Sequence, residues 1–163
     1  MSCKIDLRSE VIDEANSQGV PPEVALAVAT QESGLCHWSA SGAVKRGTSG
    51  EYGIMQLMPA TAAALGVDPT DVNDNIHGGV KYLRQLYDRY RDWAVAVQHY
   101  NGSGPAARAY AVKVMAIASQ YGLAFKAASA GAGEQASPVI SKNTLIGMGI
   151  VVGAGLFAYA LAR

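Results

Sequence analysis

ALAVATQES, residues 25–33, runs as small and branched apolar residues and ends on a glutamate and a serine before Gly34. At helical spacing Glu32 stacks over Val28 and Ala29, and a turn further over Ala25, so its carboxyl shares the apolar stripe. Pro21 and Pro22 suit the first turn of such a helix, and Gly34 suits a left-handed exit. Glu32 then sits in the last turn, where the helix macrodipole opposes a negative charge. Partial burial against valine and alanine opposes it too, and both effects raise a carboxyl pKa. A general acid working near neutral pH needs that state. A solvated glutamate at a frayed helix end is the competing reading.

Ile5, Val11, Ile12 and Ala15 define one face of a short amphipathic helix, and Gly19 with the proline pair breaks it from the glutamate helix. The same segment carries Lys4, Asp6, Arg8, Glu10, Asp13 and Glu14, so it has no apolar run of an export signal. Residues 36–52 form a glycine- and serine-rich loop with Lys45 and Arg46 adjacent. Loops this long in compact domains are functional lids or mobile segments, with a plain surface insertion as the alternative for the tip. GIMQ follows at 53–56, and Pro59 then starts a short helix that Gly66 and Pro69 end. A longer helix is predicted over about residues 74–90, with Ile76, Val80, Leu83 and Tyr87 at apolar spacing and Arg84 and Asp88 as an i,i+4 pair. Residues 93–100 make a further short helix closed by Asn101-Gly102, and residues 108–121 complete the set. No stretch alternates as strands do. The expectation is an all-α domain over about residues 4–123.

Bulk composition narrows the function. The chain has 163 residues, enough for one domain and something extra. Its 13 lysines and arginines match 13 aspartates and glutamates, leaving no excess charge to attract nucleic acid. His37, His77 and His99 form no HExxH and read as ordinary surface or cleft residues; no metal site or cofactor is expected. Cys3 and Cys36 lack metal-ligand spacing. They pair only if the fold brings them together, and free thiols are the expectation.

Glu32-Ser33, then Gly53-Ile54-Met55-Gln56, then Tyr100-Asn101 stand in the order and approximate spacing of the lytic transglycosylase domain, of the lysozyme-like superfamily. MQLMPATAAALGV, NIHGGVKYLRQL and Tyr110 also resemble family sequence, and the resemblance covers roughly residues 20–115. It implies a glycosidase that cuts the MurNAc–GlcNAc bond of peptidoglycan and leaves a 1,6-anhydro end. Ordinary glycosidases need two carboxylates. Here only Glu32 lies in a motif, and Asp68, Asp71, Asp74 and Asp92 read as helix caps or surface charge. By resemblance Glu32 protonates the glycosidic oxygen while the substrate's N-acetyl group stabilises the cation, and Glu32 then acts as base for the sugar's own 6-hydroxyl. Ser41 matches a serine that bonds near the acetamido group. Gln56 and Met58 match positions lining the saccharide cleft, and Tyr100, followed by Asn101, matches a tyrosine whose hydroxyl lies near the acid. Core filler, a turn former and a half-buried aromatic are the duller readings of Met58, Asn101 and Tyr100. The chain departs from the family in a longer loop between Ser41 and Gly53, and in Ala106, where many relatives carry a glutamate. Lysozyme-type hydrolysis, and a structural component that only binds glycan, are the competing functions.

Residues 126–142 read as a flexible linker after a catalytic domain at 1–125, and residues 143–163 as a transmembrane helix. The uncharged run 145–162 would make a helix about 27 Å long, close to the roughly 30 Å hydrocarbon core. Gly149 and Gly153 form GxxxG, a surface for close packing with a second copy. Peptidoglycan lies outside the cytoplasmic membrane, and no export signal is seen. The expectation is therefore a phage particle that carries the protein and opens the wall locally during genome delivery, with a secretion machine as runner-up.

Overall fold

The computed structural model describes residues 5–133, with side chains through residue 126. The expected transmembrane helix at 143–163, with Gly149 and Gly153, lies outside the described residues, as does the later part of the expected linker. Six helices follow in order: α1 (Arg8–Ser17), α2 (Pro22–Ser33), α3 (Pro59–Leu65), α4 (Val72–Tyr90), α5 (Trp93–Tyr100) and α6 (Gly104–Gly133). The all-α expectation holds for the described residues. Among them no helix is long and apolar enough to cross a membrane.

Local chemistry sets most of the boundaries. Pro22 opens α2, and Gly34 closes it in the left-handed region at φ +69°. Asp71 caps α4 by accepting the Asn73 and Asp74 N–H groups at 2.9 and 3.0 Å, and Asp92 caps α5 through the Val95 N–H at 2.9 Å. The reading of these two aspartates as caps is correct. Arg84 pairs with Asp88 at 2.8 Å as their spacing predicts.

Helix α2 is the hub. Val24, Ala25, Leu26, Ala27, Val28 and Ala29 are all buried, so the helix is enclosed on every side rather than on one stripe. Its small side chains let neighbours approach closely. Helix α1 packs on α2 and α4, and α4 also packs on α3 and α5. Ala107, Ala111, Val114 and Ala118 of α6 complete the core.

The structure corrects several expectations. Ile5 precedes α1 and is exposed, and Leu7 supplies the buried contact instead. Helix α6 starts at Gly104 and runs through Gly133, because its alanine-rich sequence holds no proline beyond Pro105 to stop it; residues 126–133 of the expected linker are therefore helical. His37 is no surface residue: it is 1% exposed, since both ring nitrogens find backbone partners inside. Cys36 is disulfide-bonded rather than a free thiol, and the chain's other cysteine, Cys3, lies outside the described residues. Such pairing depends on where the fold brings two sulfurs, which local spacing does not show. The loop after α2 is organised by single antiparallel bridges, Trp38 with Val44, Arg46 with Tyr52, and Tyr52 with Leu57.

At Gly79 the backbone of helix α4 comes up against Met55 of the GIMQ segment, and at Gly78 against Val67. A Cβ on Gly79 would fall 2.5 Å from Met55 Cβ, and one on Gly78 would fall 2.7 Å from Val67 Cγ2. Gly79→Ala should therefore destabilise the protein by about 1–2 kcal/mol, overpacking outweighing the roughly 1 kcal/mol that alanine gains in a helix interior. Urea unfolding measures this as a lower midpoint at unchanged slope.

Candidate active site

Glu32 lies half-buried in the last turn of α2, where side chains of α6 reach it. The Tyr110 hydroxyl donates to Glu32 Oε1 at 2.6 Å. Three turns along α6, the Tyr121 hydroxyl meets Thr30 Oγ1 at 2.9 Å, so one face of α6 grips the end of α2 twice. Ser33 Oγ bonds back to the Ala29 carbonyl at 3.0 Å and accepts the Cys36 N–H at 3.0 Å, turning the chain into the loop. Lys45 returns from that loop to donate to the Ser33 carbonyl, which offsets part of the helix macrodipole at this end.

The GIMQ turn is shaped by two buried side chains. Asn75 Oδ1 accepts the Met55 N–H at 2.9 Å, while its Nδ2 donates to the Tyr52 and Pro69 carbonyls at 2.8 and 2.9 Å. His37 Nδ1 accepts the Ile54 N–H at 3.3 Å, and Nε2 faces the Thr70 carbonyl at 3.0 Å, which together require the proton on Nε2. Gly53 must be glycine here. Its φ is +75°, and a Cβ would fall 2.6 Å from Asn75 Nδ2 and 2.7 Å from His37 Cε1. The turn leaves Gln56 at φ +47°, with its Nε2 donating to the Gly53 carbonyl at 2.6 Å. Tyr100 at the end of α5 ties the turn to the helices by donating to the Met55 carbonyl at 2.8 Å, with the Tyr82 ring 5.2 Å away.

Burial holds the Glu32 carboxyl above the ordinary carboxylate range; the Tyr110 hydrogen bond pulls the other way, and the charge of Glu51 adds to the rise. Burial, followed by the charge of Glu32, pushes the Tyr100 and Tyr110 hydroxyls up, so both stay neutral donors. The pocket therefore joins a carboxyl that resists ionisation to two neutral phenols.

The residues expected at the site fall into two groups. Tyr100 is close enough to Glu32 to feel its charge, and Gln56 lies in the GIMQ turn that Tyr100 binds. Ser41 is exposed on the loop with its hydroxyl 2.8 Å from Ser39 Oγ, Met58 is exposed just before α3, and Asn101 is exposed at the end of α5. The hydroxyl that reaches Glu32 is that of Tyr110; that of Tyr100 is bound to Met55. Tyr110 was legible only as family-like sequence, although its eleven-residue spacing from Tyr121 marks a shared helix face. Glu51, His37 and Asn75 gave no local signal of their positions.

Replacing Glu32 by Gln removes a buried ionisable group while keeping an acceptor for Tyr110. Because the folded-state pKa is raised, the parent's stability is full at acid pH and falls as pH rises through that pKa. Glu32→Gln should match the parent's Tm at acid pH and exceed it at neutral pH. Thermal scans across pH check the divergence.

Residues 9–119 match the family described as Transglycosylase SLT domain. Over 114 residues the chain is 37% identical to the transglycosylase of Enterobacteria phage PRD1, spanning 65% of this chain and 41% of that relative. The fold is similar to that of the lytic transglycosylase Slt from Pseudomonas aeruginosa, with a TM-score of 0.63 and 22% identity over 74% of this chain and 24% of that one. It is also similar to the 70 kDa soluble lytic transglycosylase from Escherichia coli, with a TM-score of 0.59 and 21% identity over 69% of this chain and 23% of the other. The chain thus spans less than half the length of each. The family match runs from α1 well into α6 and takes in Glu32, the GIMQ turn, Tyr100 and Tyr110, and the chain belongs to the Transglycosylase SLT domain family.

Proposed function

We propose that this protein cleaves the MurNAc–GlcNAc bond of peptidoglycan as a lytic transglycosylase, with Glu32 as acid and then base. The observation that carries the reading is the half-buried Glu32, bonded at Oε1 by Tyr110, in a domain of this family. With Oε1 occupied by a donor, Oε2 is the oxygen free to carry the proton. Oε2 gives that proton to the glycosidic oxygen, the bond to the sugar's C1 breaks, and the substrate's acetamido oxygen stabilises the cation. The carboxylate, now charged and still bonded to Tyr110, takes the proton of the 6-hydroxyl as that oxygen bonds to C1. The product is a 1,6-anhydro end, and one carboxyl serves both steps. Gln56 and Tyr100, with Ser41, Met58 and Asn101 further out, line the glycan's path in this proposal.

Residues 1–125 are proposed as the catalytic unit and residues 143–163 as a membrane anchor able to pair through Gly149 and Gly153, joined by a linker that begins as the end of α6. The similarity to a phage transglycosylase supports a virion-borne enzyme that opens the host wall locally.

Mass spectrometry of products from purified sacculi tests the chemistry. Anhydro ends support it, and reducing ends, heavier by one water, would instead mean lysozyme-type hydrolysis. Glu32→Gln should lose about 10²–10⁴-fold in rate, the usual contribution of a general acid. Tyr110→Phe removes a hydrogen bond to a charged group, about 1.5–3 kcal/mol, and should slow turnover about ten- to a hundred-fold.

A further inference from the structure

We propose that Tyr121 and Thr30 are positioning residues of this site: their hydrogen bond sets α6 against the end of α2 and so delivers the Tyr110 hydroxyl to Glu32. The inference rests on Glu32 being the acid.

The direction of the bond follows from its neighbours. Thr30 Oγ1 donates its one proton to the Leu26 carbonyl at 2.7 Å. The contact between Thr30 Oγ1 and the Tyr121 hydroxyl at 2.9 Å must then run the other way, with Tyr121 as donor. The relay ends on the backbone of α2, and Thr30 is held both as donor and as acceptor. Its own carbonyl accepts the Gly34 N–H at 2.9 Å, closing the turn that carries Glu32. Tyr121 therefore grips α2 at the residue that bounds this turn, two positions before the acid.

The rest of the α6 interface has no such direction. Ala107, Ala111, Val114 and Ala118 are its buried residues, and contacts between small apolar side chains fix neither rotation nor sliding to a fraction of an ångström. The Tyr110 bond demands that accuracy, since its hydroxyl meets Glu32 Oε1 at 2.6 Å. Tyr110 and Tyr121 are eleven residues apart, close to three helical turns, so one setting of α6 satisfies both bonds. The Tyr110 bond changes strength during the proposed reaction, because its acceptor alternates between acid and carboxylate. Thr30 and Tyr121 exchange no proton in that reaction, so their bond keeps the setting constant while the other changes.

The test is a double-mutant cycle on the full-length protein, with kcat and KM measured on glycan strands solubilised from sacculi. Tyr121→Phe and Thr30→Val each remove the bond and keep the side chain's outline. Each should lower kcat about three- to tenfold with KM unchanged, the range set by one neutral hydrogen bond. Thr30→Ser retains the hydroxyl and should keep the parent's kcat. In Tyr110→Phe no hydroxyl remains to be placed, so adding Tyr121→Phe there should cost less than about twofold. Parent-like kcat in both Tyr121→Phe and Thr30→Val overturns the proposal. So does an equal loss from Tyr121→Phe on both backgrounds, which would assign the contact to the fold alone, and so does a loss in Thr30→Ser as large as in Thr30→Val. Activity surviving in Glu32→Gln would instead remove the acid reading itself. An inactive Glu32→Gln beside fully active Tyr121→Phe and Thr30→Val would remove only this inference.

Discussion

The hydrogen bond from the Tyr110 hydroxyl to Glu32 Oε1 joins residues 78 positions apart and decides how the rest of the molecule is built. For the bond to form, the last turn of α2 must meet one face of α6, and the Thr30–Tyr121 contact keeps the two helices in that register. An acid must be dry enough to hold its proton and open enough to meet a sugar. Enclosing α2 almost completely, while leaving its C-terminal turn half-exposed, satisfies both demands. The alanines of α2 serve this purpose, since larger side chains would hold its neighbours away.

The GIMQ turn is controlled differently. No helix carries it; two buried polar side chains hold its backbone. Asn75 satisfies three backbone groups from one position on α4, and His37 satisfies two more. Left unpaired in the interior, each of these groups would cost about 1–3 kcal/mol. The glycines at 53 and 79 belong to the same arrangement, one admitting Asn75 and His37 and the other admitting Met55. Gln56 and the Met55 carbonyl are placed by this network, and Tyr100 then connects it to α5.

Electrostatically the pocket opposes charge on Glu32 by burial and by Glu51, and it tolerates the charge through Tyr110. That balance suits the acid-then-base role proposed for Glu32. Lys45, caught on the Ser33 carbonyl, ties the loop to the acid's helix without bonding the carboxyl itself. The loop that looked like an insertion in the sequence is thus fastened to the acid's helix and carries Glu51.

The elements whose causes are local were legible in the sequence alone. Pro22 and Gly34 bound α2, Asp71 and Asp92 cap α4 and α5, and the motifs place Glu32 and Gln56 on a recognisable scaffold. Each of these signals acts within one helical turn or one tight bend, so residue type and spacing suffice. What depended on helix rotation and crossing was not legible. That Tyr110 rather than Tyr100 bonds Glu32, and that His37 is buried and Cys36 disulfide-bonded, all require knowing which surfaces meet. The length of α6 escaped for a related reason: alanine-rich sequence with no breaker permits a helix to end in many places, and local propensity does not choose among them. Residue type and spacing alone locate Glu32 and the helix that carries it. The groups that surround it come from contacts that span the chain, so they follow from how the helices pack.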